Sequence, residues 1–128
     1  MDRQALDGIT LVIIQGAIEV HRTLGPGLLE SLYRECLVSE LQERRLKVIV
    51  EPLVPISYKG KRLNGHYRID LLVEDAVVIE LKSVETVLPV HCAQVLSYLR
   101  LTDKRVGLLI NFNVSYLRQG VRRIVNGF

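Results

Sequence analysis

The sequence predicts a mixed α/β fold, a sandwich of helices against one sheet in the order α-α-β-β-β-α-β. Three observations predict it. Ile9, Val12, Ile13, Gly16, Ala17, Val20 and Leu24 recur at helical spacing. From Val48 the pattern changes to β-branched runs. Between Leu88 and Thr102 it returns to helical spacing before one last apolar strand, RVGLLINF.

The first amphipathic helix runs from about residue 8 to residue 23 with one buried stripe. Gly25-Pro26-Gly27 breaks it. A second helix runs from near Leu28 to about Arg45, with Leu29, Leu32, Cys36, Leu37 and Leu41 turned inward and Glu40, Glu43, Arg44 and Arg45 in solvent. The two are expected to pack as a hairpin. VIVEPLVPISYKG follows, and its two prolines mark an edge or bulged strand. Lys59-Gly60-Lys61 turns the chain. Strands from about Leu63 to Val73 and from Val77 to Val84 complete a three-stranded antiparallel meander. Pro89 suits the first turn of the third helix. The connection through that helix places RVGLLINF parallel to Val77–Val84 on a right-handed crossover. The tail VRRIVNGF fits either a strand or a short helix.

At 128 residues the chain has the size of one domain, residues 1–128, without repeat or linker. Its composition, 48% hydrophobic and 24% charged, is globular and excludes a disordered chain. No apolar run reaches the roughly 18 residues of a membrane span, and MDRQALDGIT lacks the basic start of a signal peptide, so a cytoplasmic protein is expected. Cys36 and Cys92 lack metal-ligand spacing and read as reduced, inward-facing residues. A net charge of +3 and a pI near 9.0 favour an anionic partner.

The stretch RIDLLVEDAVVIELK, residues 68–82, reads as two apolar strands about an acidic turn, yet Asp70, Glu80 and Lys82 interrupt it. Side chains alternate along a strand, so Glu80 and Lys82 share a face about 6.7 Å apart. If Val73 faces Val77 across a three-residue turn, Asp70 stands opposite Glu80; a two-residue turn at Glu74-Asp75 puts the acids on opposite faces. Two carboxylates roughly 5 Å apart repel by about 3 kcal/mol at an effective dielectric of 20. Converging acids therefore require a positive partner or a retained proton. Lys82 offers one charge, and a divalent Mg²⁺ or Mn²⁺ offers two and takes oxygen ligands. Two acids and a lysine about such an ion form a hydrolytic arrangement. The ordinary alternative is a solvated strand end at Asp70 and a surface ion pair between Glu80 and Lys82. Val77, Val78, Ile79 and Leu81 argue against it, because a strand apolar on both faces is central and seldom carries idle charge.

GLLESLY at residues 27–33, RID at 68–70, ELK at 80–82, HCAQVLSYL at 91–99 and LLINF at 108–112 stand in an order and spacing that resembles the GxxExxY protein family of the PD-(D/E)xK nuclease superfamily. The resemblance implies a restriction-endonuclease-like core and a nuclease site. In it Asp70 and Glu80 bind Mg²⁺ and Lys82 assists a water in attacking a phosphodiester. Glu30 matches the helical acid of the family motif and is carried over as a third metal and catalytic residue. Gln94 and Tyr98 match a QxxxY on the third helix, Gln94 as a site residue and Tyr98 as a nucleic-acid contact. Arg-Ile-Asp stands here where the superfamily pattern has Pro-Asp.

Other residues have plainer readings. Tyr33 fits the core, His91 a solvated or capping position, and neither His21 nor His66 finds a partner in the sequence. Arg22, Lys59, Lys61, Arg62, Arg68, Arg100, Lys104, Arg105, Arg118, Arg122 and Arg123 are candidates for phosphate contacts. Arg68, Arg122 and Arg123 rank first for nearness to the charged strands. With five Tyr and two Phe, stacked readout of single-stranded bases is not indicated. The expected function is thus a Mg²⁺-dependent nuclease acting on DNA. The alternative is a nucleic-acid-binding or assembly module without cleavage. A mean hydropathy of +0.22 is high for so small a domain and suits a homodimer in either case.

Overall fold

The computed structural model describes residues 1–127. Helix α1, Arg3–Leu24, starts five residues before the expected residue 8 because Asp2 caps it, accepting from the Ala5 amide at 2.8 Å. It ends at Gly25, whose φ of 73° is a glycine conformation. Helix α2, Glu30–Glu43, crosses α1 at Gly16, where a methyl group would sit 3.1 Å from Leu41. It buries Tyr33, Leu37 and Leu41. Leu29 and Leu32 are exposed, contrary to the helical pattern. Leu29 is the extended residue before the helix, and Leu32 lies off the stripe set by Tyr33, Leu37 and Leu41. Tyr33 stacks on Phe112 at 4.3 Å and ties the Gly25–Leu28 loop by donating to the Gly25 carbonyl and accepting from the Leu28 amide.

The stretch expected as one strand divides at Glu51-Pro52. Strand β1, Val48–Val50, precedes the break and β2, Leu53–Tyr58, follows it. Glu51 adopts φ 52°, and Pro52 has no amide to donate. The next expected strand divides likewise into β3, Lys61–Arg68, and β4, Leu71–Val73. β2 and β3 form a separate hairpin, while β1 pairs with β4. Strand β5, Val77–Lys82, runs antiparallel to β4. Helix α3, Pro89–Thr102, leads over to β6, Val106–Asn111, parallel to β5. A short 3-10 turn, Leu117–Gly120, leads into β7, Val121–Val125, which resolves the ambiguous tail as a strand antiparallel to β6. The main sheet has the order β1-β4-β5-β6-β7.

Helices α1 and α2 cover one face through Leu71, Val73, Ile79, Leu81, Leu108 and Ile110. Helix α3 covers the other through Leu72, Val78 and Leu99. Gly107 allows that approach, since a methyl group there would come within 2.7 Å of Val95. This is a restriction-endonuclease-like core. Asn111, 2% exposed, accepts from the Val84 amide and donates to the Val84 carbonyl, fixing the exit of β5. His21 has a partner after all: its Nε2 donates to the Val114 carbonyl at 2.8 Å. Cys36 and Cys92 are free and only half-buried. No helix among the described residues is long and apolar enough to cross a membrane.

Candidate active site

The chain takes the register in which Val73 pairs with Val77, with Leu71 opposite Ile79. Glu74 and Asp75 make the three-residue turn at φ 53° and 52°, closed by the Ala76 amide donating to Val73. One step past Leu71, Asp70 stands opposite Glu80 on the α3 side of the sheet. There the backbones of β4 and β5 part, because the chain before Asp70 swings away into the β3 hairpin. Two amides lose their ladder partners, and the acids take them reciprocally. The Asp70 amide donates to Glu80 Oε1 at 3.0 Å, and the Leu81 amide to Asp70 Oδ2 at 2.8 Å.

Glu80 is 9% exposed. Burial raises its pKa to about 8, with the charge of Asp70 acting in the same direction and the Asp70 amide and the Lys82 ammonium partly opposing it. Lys82 shares the face and is half-buried. Among the described residues its ammonium has no carboxylate within ion-pairing distance, so it is not the surface ion-pair partner of Glu80. The Phe112 amide donates to its carbonyl at 2.9 Å, so its backbone is anchored to β6.

A second set of charges, not anticipated from the sequence, leans on Asp70 from outside. Arg34 of α2 meets Asp70 Oδ1 at 3.3 Å and Glu51 Oε1 at 3.2 Å. Glu51 also pairs with Arg68 at 3.2 Å. The Glu51 amide donates to the Asp70 carbonyl, so the kink between β1 and β2 delivers this acid to the site's edge. The sequence signal was present in a charged residue interrupting VIVEPLV and an arginine one turn after Glu30.

The remaining candidates are distributed around the pair. Glu30, exposed in the first turn of α2, accepts from the Ser83 amide at 3.3 Å, at the end of β5, and does not join the two acids. Among the described residues no three His, Cys, Asp or Glu side chains converge as a metal cluster. Gln94 is exposed on α3 and shares a shallow pocket of about 240 Å³ with Tyr67, Val90 and Tyr98. Tyr98 packs against Tyr67 at 5.5 Å, and its pKa is raised by burial, then by Glu80, Tyr67 and Asp70, which places its phenol within the field of the acids. His91 caps α3, its Nδ1 accepting from the Leu88 amide.

The two arginines of β7 are not beside the acids. Arg122 faces Leu109, which in turn faces Glu80, so it lies in the same row but two strands away, about 10 Å. It donates to the Gln119 and Val121 carbonyls. Arg123 points to the opposite face and pairs with Asp7 of α1 at 2.7 Å. A roomier pocket, about 680 Å³ and lined by Leu46, Val48, Ile49 and Glu74, sits at the turn end of the sheet, away from Asp70 and Glu80.

As donors, Asp70 and Glu80 suit a divalent cation. Two hard oxygen ligands lie on one sheet face, and a nearby positive charge would relieve the electrostatic cost of ionising Glu80. No curated protein and no solved structure matches the chain at a significant level. A family model described as the PD-(D/E)XK nuclease superfamily matches residues 7–124, which include α2, both acids, Lys82 and α3. The chain belongs to the PD-(D/E)XK nuclease superfamily.

Proposed function

We propose that the chain is a metal-dependent nuclease hydrolysing phosphodiester bonds of DNA, with Asp70 and Glu80 as the ion-binding pair. The observation that carries this reading is a buried glutamate facing a second acid, with a lysine two residues on that has no ion-pair partner among the described residues. A bound Mg²⁺ or Mn²⁺ would supply Lewis acidity toward a phosphate oxygen and a water. Glu80 would hold such an ion as the carboxylate, so uptake would compete with the proton that its raised pKa favours. Lys82 brings its ammonium to the same face, where it steadies the attacking water or the negative charge that develops on phosphate. Glu30, in the first turn of α2 with its carboxylate on the Ser83 amide past β5, and Gln94, exposed on α3, hold water or substrate. Arg68 and Tyr98 meet the nucleic-acid backbone.

A second reading, a binding or assembly module without cleavage, is favoured by one observation. Arg34 and the Leu81 amide between them engage both oxygens of Asp70. In that reading the acids only complete the ladder where β4 and β5 part. Homodimerisation suits either reading, since Ile49 and Val50 leave the open edge of β1 apolar.

Cleavage of a labelled DNA duplex in Mg²⁺ or Mn²⁺ tests the proposal. Asp70→Ala and Lys82→Ala are each expected to slow it by about 10²–10³-fold or more, with the melting transition retained. Parental rates in both variants refute the assignment. Calorimetric titration separates the second reading: no Mn²⁺ uptake, with nucleic-acid binding intact, identifies the module.

A further inference from the structure

We infer that the β2–β3 hairpin is a cationic arm that grips duplex DNA beside the acids; the class of ligand rests on the nuclease reading above. Residues 53–68 contain Lys59, Lys61, Arg62 and Arg68 and no acid. The hairpin thus carries +4 of a chain whose net charge is +3, and all the rest sums to −1. The positive character of this protein is therefore a property of one element.

That element contributes little to the core. Every residue of β3 is exposed, and Val54 is the one fully buried residue of β2. Val54 and its partner Tyr67 face α3, which fixes the orientation of the arm. The other face follows from the register. Arg68 pairs with Leu53 and His66 with Pro55, so these two side chains share the face turned away from α3; the register then shifts between Pro55 and Ser57, and beyond the shift Arg62 pairs with Ser57 nearer the tip. Lys59 sits at the tip with φ 51°, followed by Gly60 at φ 77°. A two-residue loop with both φ positive favours Asn-Gly, and here a lysine occupies the first position, which carries its charge to the end of the ribbon.

The root of the arm adjoins the candidate site. Arg68 is followed by Ile69 and Asp70, and it reaches Asp70 again through Glu51 and Arg34. The span from Arg62 to Arg68 is at most about 20 Å at 3.3 Å per residue. A two-stranded ribbon of this kind is the width that a DNA major groove admits, about 12 Å. Stacked single strands are a poorer fit. Of the two aromatic rings on the arm, Tyr67 is engaged by Tyr98 and Tyr58 lies under the Lys59 ammonium.

The test is fluorescence anisotropy of the full chain in EDTA, with a short labelled DNA duplex and a single strand of the same sequence. The triple variant Lys59→Gln, Lys61→Gln, Arg62→Gln changes only exposed side chains. Against the parent it is expected to lose about tenfold or more in duplex affinity, and its log-affinity against log-salt slope is expected to be shallower by about 2.7. Lys59→Arg with Lys61→Arg is expected to bind as the parent does. Parental affinity and slope in the glutamine variant, tighter binding of the single strand, or no duplex binding by the parent each overturn the inference. Cleavage is scored separately. A chain that grips duplex through the arm without cutting it in Mg²⁺ sinks the nuclease reading and leaves the arm standing.

Discussion

Strands β3 and β4 are almost continuous in sequence, separated only by Ile69 and Asp70, yet they occupy different solvents. All eight residues of KRLNGHYR are exposed, and all three of LLV are buried. The first half faces water with cations, and the second packs between helical layers with nothing polar. Asp70 stands at the boundary, wet enough to meet Arg34 and dry enough to influence Glu80. An acid pair is tolerated at such a boundary. Deeper in the sheet its desolvation would be unopposed; farther out on the hairpin, water would screen it.

The contrast can be broken at each of its parts. Leu71→Ala, in the buried half, is expected to cost about 2–5 kcal/mol in chemical denaturation. At the boundary the lever is pH. The folded pKa of Glu80 lies above its ordinary 4.5, so the native state holds an extra proton between about 4.5 and about 8. Stability of the metal-free protein is therefore expected to fall as pH rises through that window, by a few kcal/mol in all. Glu80→Gln should flatten the dependence, and Mn²⁺ should raise the melting temperature most at the alkaline end, where the carboxylate is free to bind it. A parental melting curve independent of pH would break the boundary argument. Leu63→Ala, on the exposed half and 42% accessible, is expected to change stability by no more than about 0.5 kcal/mol.

Local pattern made much of this legible. The β4–β5 pairing depends on a single turn, and alternation then places Asp70, Glu80 and Lys82 without long-range information. The crossover to β6 followed from a helix between two apolar runs. What was not legible depends on distant partners. Arg34 and Asp70 are 36 residues apart, and His21 and Val114 are 93 apart. The burial assigned to Leu29 failed because period alone does not say which residue is the first with helical dihedrals. Arg122 and Arg123 both rank high for nearness to the charged strands, but a strand sends sequence neighbours to opposite faces, and VRRIVNGF alone does not distinguish strand from helix. The division of β1 from β2 turned on Glu51 adopting a left-handed conformation, which no propensity favours for glutamate.

Asn111 stands opposite Lys82 in the β5–β6 ladder. A side-chain amide that both gives to and takes from the main chain of Val84 imitates one more peptide unit, so the rung pattern continues beyond the end of β6 without an added strand. The main chain is thereby held at the Lys82 carbonyl, which accepts from the Phe112 amide, and again at Val84, so under the proposed nuclease reading the reach of the lysine toward a phosphate would be that of its four-carbon stem. Under that reading, reaching a scissile bond would cost the lysine side-chain rotamer entropy, with its main chain already held by β6.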